Sequence, residues 1–223
     1  MNETDAKEEL AKIKFFEVTP DLSSLSELEN EALRLCIDAS KILDGLYLKQ
    51  VCGDKLESYL ETLKEQNNQD LETFFRINAG PWNRFAEDTP FFPGVGSKPA
   101  GAGFYPEDLT KDEWNAWLEQ HPEDKKAFES NTTMVRRENG RLVAIPYHEF
   151  FKDDLTKASS LLSLASKKLE SGPLSVYLAE ISKALVTGSY YDSDVAWVKT
   201  TGIPFEFIFG PIEDYEDCLF GSK

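Results

Sequence analysis

The chain has 223 residues, 41% of them hydrophobic and 12% aromatic. That is enough to bury roughly 70% of its unfolded surface, which excludes a largely disordered protein. Forty acidic residues against 24 basic ones give a formal charge of −16, a field that repels phosphate backbones and anionic lipid, so no nucleic-acid and no membrane partner is expected.

No apolar run approaches the ~20 residues of a membrane-spanning helix. The first residues form no basic, apolar leader. Cys36, Cys52 and Cys218 are scattered, without a Cys-x-x-Cys pair. A cytoplasmic location is expected on these grounds.

Taken in chain order, Ser24-Leu-Ser-Glu27 has capping-box spacing. Leu28, Ala32, Leu35, Ala39, Ile42 and Leu46 then recur on one helical stripe running to about Tyr47 or Val51. Cys36 reads as a small buried hydrophobe on that helix. Gly53 interrupts it, and Asp54 to Gln66 gives a second helix. After a polar break at Asn67-Asn-Gln-Asp70, Leu71 to Ile77 gives a third.

From Asn78 to Pro106 the chain is rich in Gly, Pro and aromatic residues. Regular structure is not expected there. Trp82, Phe91, Phe92, Phe104 and Tyr105 predict a long loop packed on the core rather than a floppy linker. Thr110-Lys-Asp-Glu113 is a further capping box, opening a helix that ends near His121-Pro122, and Pro122 seeds a short helix to about Phe128. Thr133 to Arg137 and Arg141 to Ile145 flank Asn139-Gly140, the preferred pair for a type I′ hairpin turn. Helices are predicted over His148–Leu169 and Leu174–Val186, with one or two helical turns between Tyr190 and Lys199. Pro204-Phe-Glu-Phe-Ile-Phe209 is a strand signal, followed by Gly210-Pro-Ile-Glu-Asp-Tyr-Glu-Asp217. The class is α+β, predominantly helical with a small sheet.

The patterns that carry chemistry are few. His148-Glu-Phe-Phe-Lys152 lacks the second imidazole one turn on that a zinc-chelating helix needs. With only His121 and His148 in the chain, no metal ligands and no catalytic residues are assigned, and His148 reads as a solvated residue near a helix start. Gly94-Val-Gly-Ser-Lys98 has the wrong spacing for a phosphate loop, and no Gly-x-Ser-x-Gly elbow is present.

The acidic run Glu213-Asp-Tyr-Glu-Asp217 reads first as a solvated turn. Its carboxylates and phenol could instead grip the amine of a peptide, or calcium, although the ligand spacing of a calcium loop is missing. Strand alternation sets Glu206 and Ile208 opposite Phe205, Phe207 and Phe209, so Glu206 faces either solvent or a cleft.

Several stretches together resemble the dipeptidyl peptidase III family of zinc metallopeptidases, in particular its short members and the peptidase portion of plant proteins that carry a Nudix domain. They are Phe16-Glu-Val-Thr-Pro-Asp-Leu-Ser-Ser-Leu25, Lys98-Pro-Ala-Gly-Ala-Gly-Phe-Tyr-Pro-Glu-Asp-Leu109, Tyr190-Tyr-Asp-Ser-Asp-Val-Ala-Trp197 and Gly210-Pro-Ile-Glu-Asp-Tyr-Glu-Asp-Cys-Leu-Phe-Gly221, with Ala39–Asp44 and Ile145–Tyr147 between them.

The resemblance implies a two-lobed hydrolase that releases dipeptides from peptide N-termini. Its zinc motif would follow the segment matched at Phe220-Gly221. Residues 1–223 are then expected to be the N-terminal, non-zinc lobe, containing part of a small barrel. No cofactor is expected within this chain, and zinc is implied for the full-length enzyme. The implied partners are a peptide substrate and the zinc-bearing C-terminal lobe, with self-association where that lobe would dock.

Carried over residue by residue, Glu206 takes the place of a glutamate that binds the substrate amine. Ile208 stands where larger members have an oxyanion-stabilising tyrosine, which leaves that role without a donor. Glu213 and Tyr215 fall in the matched segment as further substrate-binding candidates. The alternative reading is a non-catalytic peptide- or protein-binding domain that has lost the zinc lobe.

Overall fold

The computed structural model describes residues 3–212 and 215–223. It is α+β and mainly helical, and its described residues fall into two compact units. The first comprises residues 3–18, 47–120 and 215–223, and the second residues 19–46 and 121–212.

In the first unit, α1 (Glu3–Ala11), which was not expected from the sequence, packs on α4 (Gln69–Asn78), the helix expected over Leu71 to Ile77. The C-terminal part of α2 (Glu27–Cys52) leads through a 3-10 turn at Gly53–Lys55 into α3 (Leu56–Gln66). Asn67, at φ 46, ends α3 in the left-handed conformation. The Asn68 side chain then starts α4 by accepting from the N–H groups of Asp70 and Leu71, so the polar break is a stop and a cap side by side.

The core of this unit is aromatic. Phe74 stacks obliquely on Phe91 at 4.9 Å, Phe75 on Phe92 at 5.5 Å, and Tyr59 meets Trp82 edge-on at 6.0 Å between ring centres. Each fully buried aromatic side chain contributes roughly 1.5–3 kcal/mol. The expected long loop is therefore held down as its five aromatics predicted, all of them buried. It also contains a short ladder that was not expected, β1 (Trp82–Asn83) paired antiparallel with β2 (Thr89–Pro90).

The loop closes on α2 through glycines. Gly103 N–H donates to Gln50 O at 2.7 Å, and a Cβ at Gly103 would lie 2.5 Å from Gly53 N. Only a residue without a side chain permits that approach. After the loop comes α5 (Lys111–Gln120), whose Glu113 N–H is accepted by Thr110 Oγ1.

In the second unit, α2 begins two residues later than the capping box read from the sequence. Ser26 and Glu29, not Ser24 and Glu27, exchange the reciprocal bonds, Ser26 N–H to Glu29 Oε2 at 2.7 Å and Glu29 N–H to Ser26 Oγ at 3.3 Å. Both pairs have the same spacing, so the spacing alone could not choose between them. Ala32, Cys36, Ala39 and Leu46 are buried along α2, whereas Leu28 at the start of the expected stripe is exposed. Burial pushes the Cys36 thiol up to about 12.

Beyond a 3-10 turn at Pro122–Asp124 and α6 (Lys125–Phe128), β3 (Thr133–Glu138) and β4 (Arg141–Pro146) form the expected hairpin, with Asn139 at φ 51 and Gly140 at φ 77 in its turn. The single helix predicted over His148–Leu169 is two, α7 (Tyr147–Phe150) and α8 (Lys152–Lys168). They are separated at Phe151, whose φ of −104° and ψ of 26° leave the helical region.

α8 packs along α9 (Pro173–Thr187) through Leu155, Ala158, Leu162, Leu178, Ile181 and Leu185. A reciprocal hydroxyl clamp lies in the same seam. Ser166 Oγ donates to Ser175 O at 2.8 Å and Ser175 Oγ to Ser166 O at 2.9 Å, so neither buried hydroxyl is left unpaired. α10 (Tyr191–Val198) follows. The strand expected at residues 204–209 pairs with no other strand among the described residues. Sheet in this structure consists of two two-stranded ladders, so the partial barrel is not formed by the described residues.

Candidate functional site

The sequence reading placed its candidates between Glu206 and Tyr215. Residues 204–212 belong to the second unit. The alternation survives there without the ladder: Glu206 and Ile208 are exposed, Phe205 and Phe207 are half-buried and Phe209 is buried. Phe209 is the anchor. Its ring stacks on Phe207 at 5.4 Å, and its main chain bonds the phenol of Tyr177 on α9. Ile208 is 70% exposed and carries no donor. Glu206 therefore stands on the solvent side of a segment fixed by its other side.

Glu213 and Asp214 lie outside the described residues. Residues 215–223 belong to the first unit, and the two carboxylates of the acidic run that are described, Glu216 and Asp217, are not solvated. Tyr215, at φ 57, is 81% exposed, but Glu216 and Asp217 are buried.

Glu216 Oε1 accepts from the Tyr47 hydroxyl at 2.7 Å and from Arg84 Nη1 at 2.6 Å, while Oε2 accepts from Lys98 Nζ at 2.6 Å. Arg84 is positioned in turn by Asn78, with Nε donating to Asn78 O at 2.6 Å and the Arg84 main-chain N–H to Asn78 Oδ1 at 2.9 Å. Burial by itself would raise the Glu216 carboxyl. The hydrogen bonds from Arg84, Lys98 and Tyr47 outweigh it and hold the group below the usual carboxylate range. Burial and the adjacent carboxylate push Tyr47 up to about 12.

Asp217 closes the C-terminal turn. Its Oδ2 accepts from the Tyr105 hydroxyl and the Ser222 N–H, both at 2.8 Å, and its Oδ1 accepts from the N–H groups of Leu219 and Phe220. Phe220 stacks on Trp114 at 4.2 Å. These two carboxylates are committed to the fold, which leaves the phenol of Tyr215 and the thiol of Cys218 exposed in this stretch. Glu206 and Tyr215 lie in different units.

The sequence reading missed the partners of Glu216. An arginine and a lysine inside the aromatic loop of a strongly acidic chain were the available signal, because a cation drawn out of water needs an anion beside it. Lys98 was considered as part of a phosphate loop. Its ammonium instead bonds Glu216 and approaches Asp88 at 3.5 Å.

His148 is half-buried rather than solvated, and Nε2 lies 3.8 Å from Glu149 Oε1. His121 Nδ1 lies 3.6 Å from Glu123. Among the described residues no group of three His, Cys, Asp or Glu side chains is arranged to hold a metal ion. The zinc implied by the family resemblance does not fit them.

No protein-family model matches the chain. Nudix hydrolase 3 of Arabidopsis thaliana is 28% identical over 255 aligned positions, covering 91% of this chain and 33% of the relative. Two solved structures match in fold. Dipeptidyl peptidase III from Caldithrix abyssi gives a TM-score of 0.91 at 37% identity, covering 97% of this chain and 41% of that one. The dipeptidyl peptidase III from Corallococcus sp. strain EGB gives 0.85 at 31% identity, covering 91% and 38%. The chain thus spans about a third of the length of the curated relative and about two fifths of the solved structures. The resemblance to dipeptidyl peptidase III read in the sequence is present in the fold, over nearly all of this chain.

Proposed function

We propose that the chain is the substrate-binding part of a zinc-dependent exopeptidase similar to dipeptidyl peptidase III, which releases dipeptides from peptide N-termini. In this reading the chain holds the peptide, and the metal is carried by a C-terminal lobe of the longer protein. The observation that carries the reading is the correspondence of almost the whole chain with dipeptidyl peptidase III structures.

The geometry at residues 204–210 supports it. An alternating segment outside any ladder has main-chain N–H and C=O groups to offer an added peptide strand. Glu206, exposed on it, supplies an acceptor for a protonated amine. Since the described residues hold no metal site, no step through zinc is assigned to them. A cytoplasmic location belongs to the same reading, supported by the acidic charge and the free cysteines. So does self-association of the isolated chain, supported by the exposure of Phe15, Phe16 and Val18.

A second reading, a non-catalytic peptide-binding domain, is favoured by Ile208, which puts a hydrocarbon where larger members have a phenol donor. The reading frame beyond Lys223 separates the two: an in-frame His-Glu-x-x-x-His supports the enzyme.

The binding claim is tested by titrating the chain with one short peptide bearing a free or an acetylated N-terminus. A charge-assisted bond of ~1.5–3 kcal/mol predicts roughly 10- to 100-fold tighter binding of the free amine. Glu206→Gln should remove the difference. Equal affinities for the two peptides refute amine recognition.

A further inference from the structure

A cavity of about 460 Å³ in the second unit gathers polar side chains whose hydrogen-bonding capacity is unspent. Its lining includes Lys126 at α6, His148 on α7, and Gly188 and Tyr190 between α9 and α10. None of these residues takes part in the peptide-binding reading above.

The imidazole of His148 rests against Gly188, the left-handed C-cap of α9 at φ 72. A Cβ there would come within 2.5 Å of Nδ1, so the missing side chain makes the space the ring occupies. The Glu149 carboxylate lies 3.8 Å from Nε2, beyond hydrogen-bond reach. Tyr190 is half-buried, and its hydroxyl makes no hydrogen bond among the described residues. Burial, and after it the negative charge of Asp194, push this phenol up to about 12, so at neutral pH it keeps its proton and acts as a donor. Lys126 has no ion-pair partner among the described residues. The acid of the lining, Glu123, is next to His121.

We infer that this cavity binds a small oxyanion, the carboxylate or phosphate of a low-molecular-weight ligand, through Tyr190 Oη, His148 and Lys126 Nζ. Half-buried polar groups in native proteins find partners. The volume is that of a small-molecule pocket. Tyr190 Oη and Lys126 Nζ, donors without a hydrogen-bonded or ion-paired acceptor among the described residues, favour an anionic occupant over a cation. These local donors act against the repulsion of a chain of net charge −16 and of the nearby Asp194 and Glu123.

The test is NMR observation of the two imidazoles in the full chain, titrated with inorganic phosphate and separately with acetate at constant ionic strength. A saturable shift of the His148 resonances, with His121 unmoved, is expected for at least one anion, and the tighter of the two identifies the ligand class. Tyr190→Phe removes a hydroxyl without a partner among the described residues, so the urea midpoint should stay where it is. Affinity should fall about tenfold, the equivalent of ~1.4 kcal/mol. Lys126→Met, at an exposed position, should weaken binding similarly. Shifts that rise linearly without saturating, that are equal at both histidines, or that Tyr190→Phe leaves unchanged would overturn the inference and leave a cavity that holds water only.

Discussion

Replacing Glu216 by glutamine tests whether the buried carboxylate holds the first unit together. The substitution keeps the volume and removes the charge that receives Arg84, Lys98 and Tyr47. Removing one partner of a buried pair typically costs 3–5 kcal/mol, because the other charge is stranded. Here Arg84 is 31% exposed and Lys98 13%, so water restores part of the solvation of Arg84. The expected loss is about 2–3 kcal/mol at neutral pH, which for a chain of this size lowers Tm by roughly 5–10 °C.

Tryptophan fluorescence is the suitable probe, since Trp82, Trp114 and Trp117 all belong to the first unit. The pH dependence carries a sign. The folded Glu216 carboxyl lies below its ordinary value, so its contribution is fully present above the unfolded value near 4.3. The contribution is lost as pH falls through the lower folded value. Wild type and Glu216→Gln should therefore differ most at neutral pH and converge in acid. A difference below ~0.5 kcal/mol at pH 7, or one that persists unchanged into acid, refutes the argument.

Two further outcomes follow from the structure. Tyr47, Tyr59, Tyr177 and Tyr190 are pushed up to about 12, burial being the largest cause for each. A raised folded value means that stability is full below the unfolded tyrosine value near 10 and falls as pH rises through 12. Ultraviolet titration should find these four ionising only as the chain unfolds; their reversible ionisation near pH 10 in the folded chain would contradict their burial. Gly103→Ala would place a Cβ 2.5 Å from Gly53 N and 2.7 Å from Gln50 O, both backbone atoms. A loss of about 3 kcal/mol in urea unfolding is expected. Gly96→Ala, where nothing lies within 4 Å, serves as the neutral control, and similar midpoints for the two variants would refute the packing argument.

Local signals in the sequence were read correctly where the physics is local. Asn139-Gly140 dictated the hairpin turn, because few residue pairs accept two consecutive positive φ angles. The aromatics of the loop fixed its burial, since so many rings are costly to leave in water. The same approach failed where two local solutions were equivalent, as with Ser24 and Ser26 as alternative caps. It also failed where alternation looked like a paired strand: residues 204–209 keep the period of two without a partner, because a ladder requires a second chain segment that no local pattern specifies.

The residues from Glu206 to Asp217 show where that boundary lies. Their alternation was enough to set Glu206 and Ile208 on the face opposite Phe209, since a period of two is a property of the extended backbone itself. The fates of Glu216 and Tyr215 could not be read this way. Which of two adjacent residues turns inward depends on Tyr47, Arg84 and Lys98, the last of them 118 positions away in the chain. Only the tertiary fold brings such distant charges together, and a buried carboxylate exists only where they meet it.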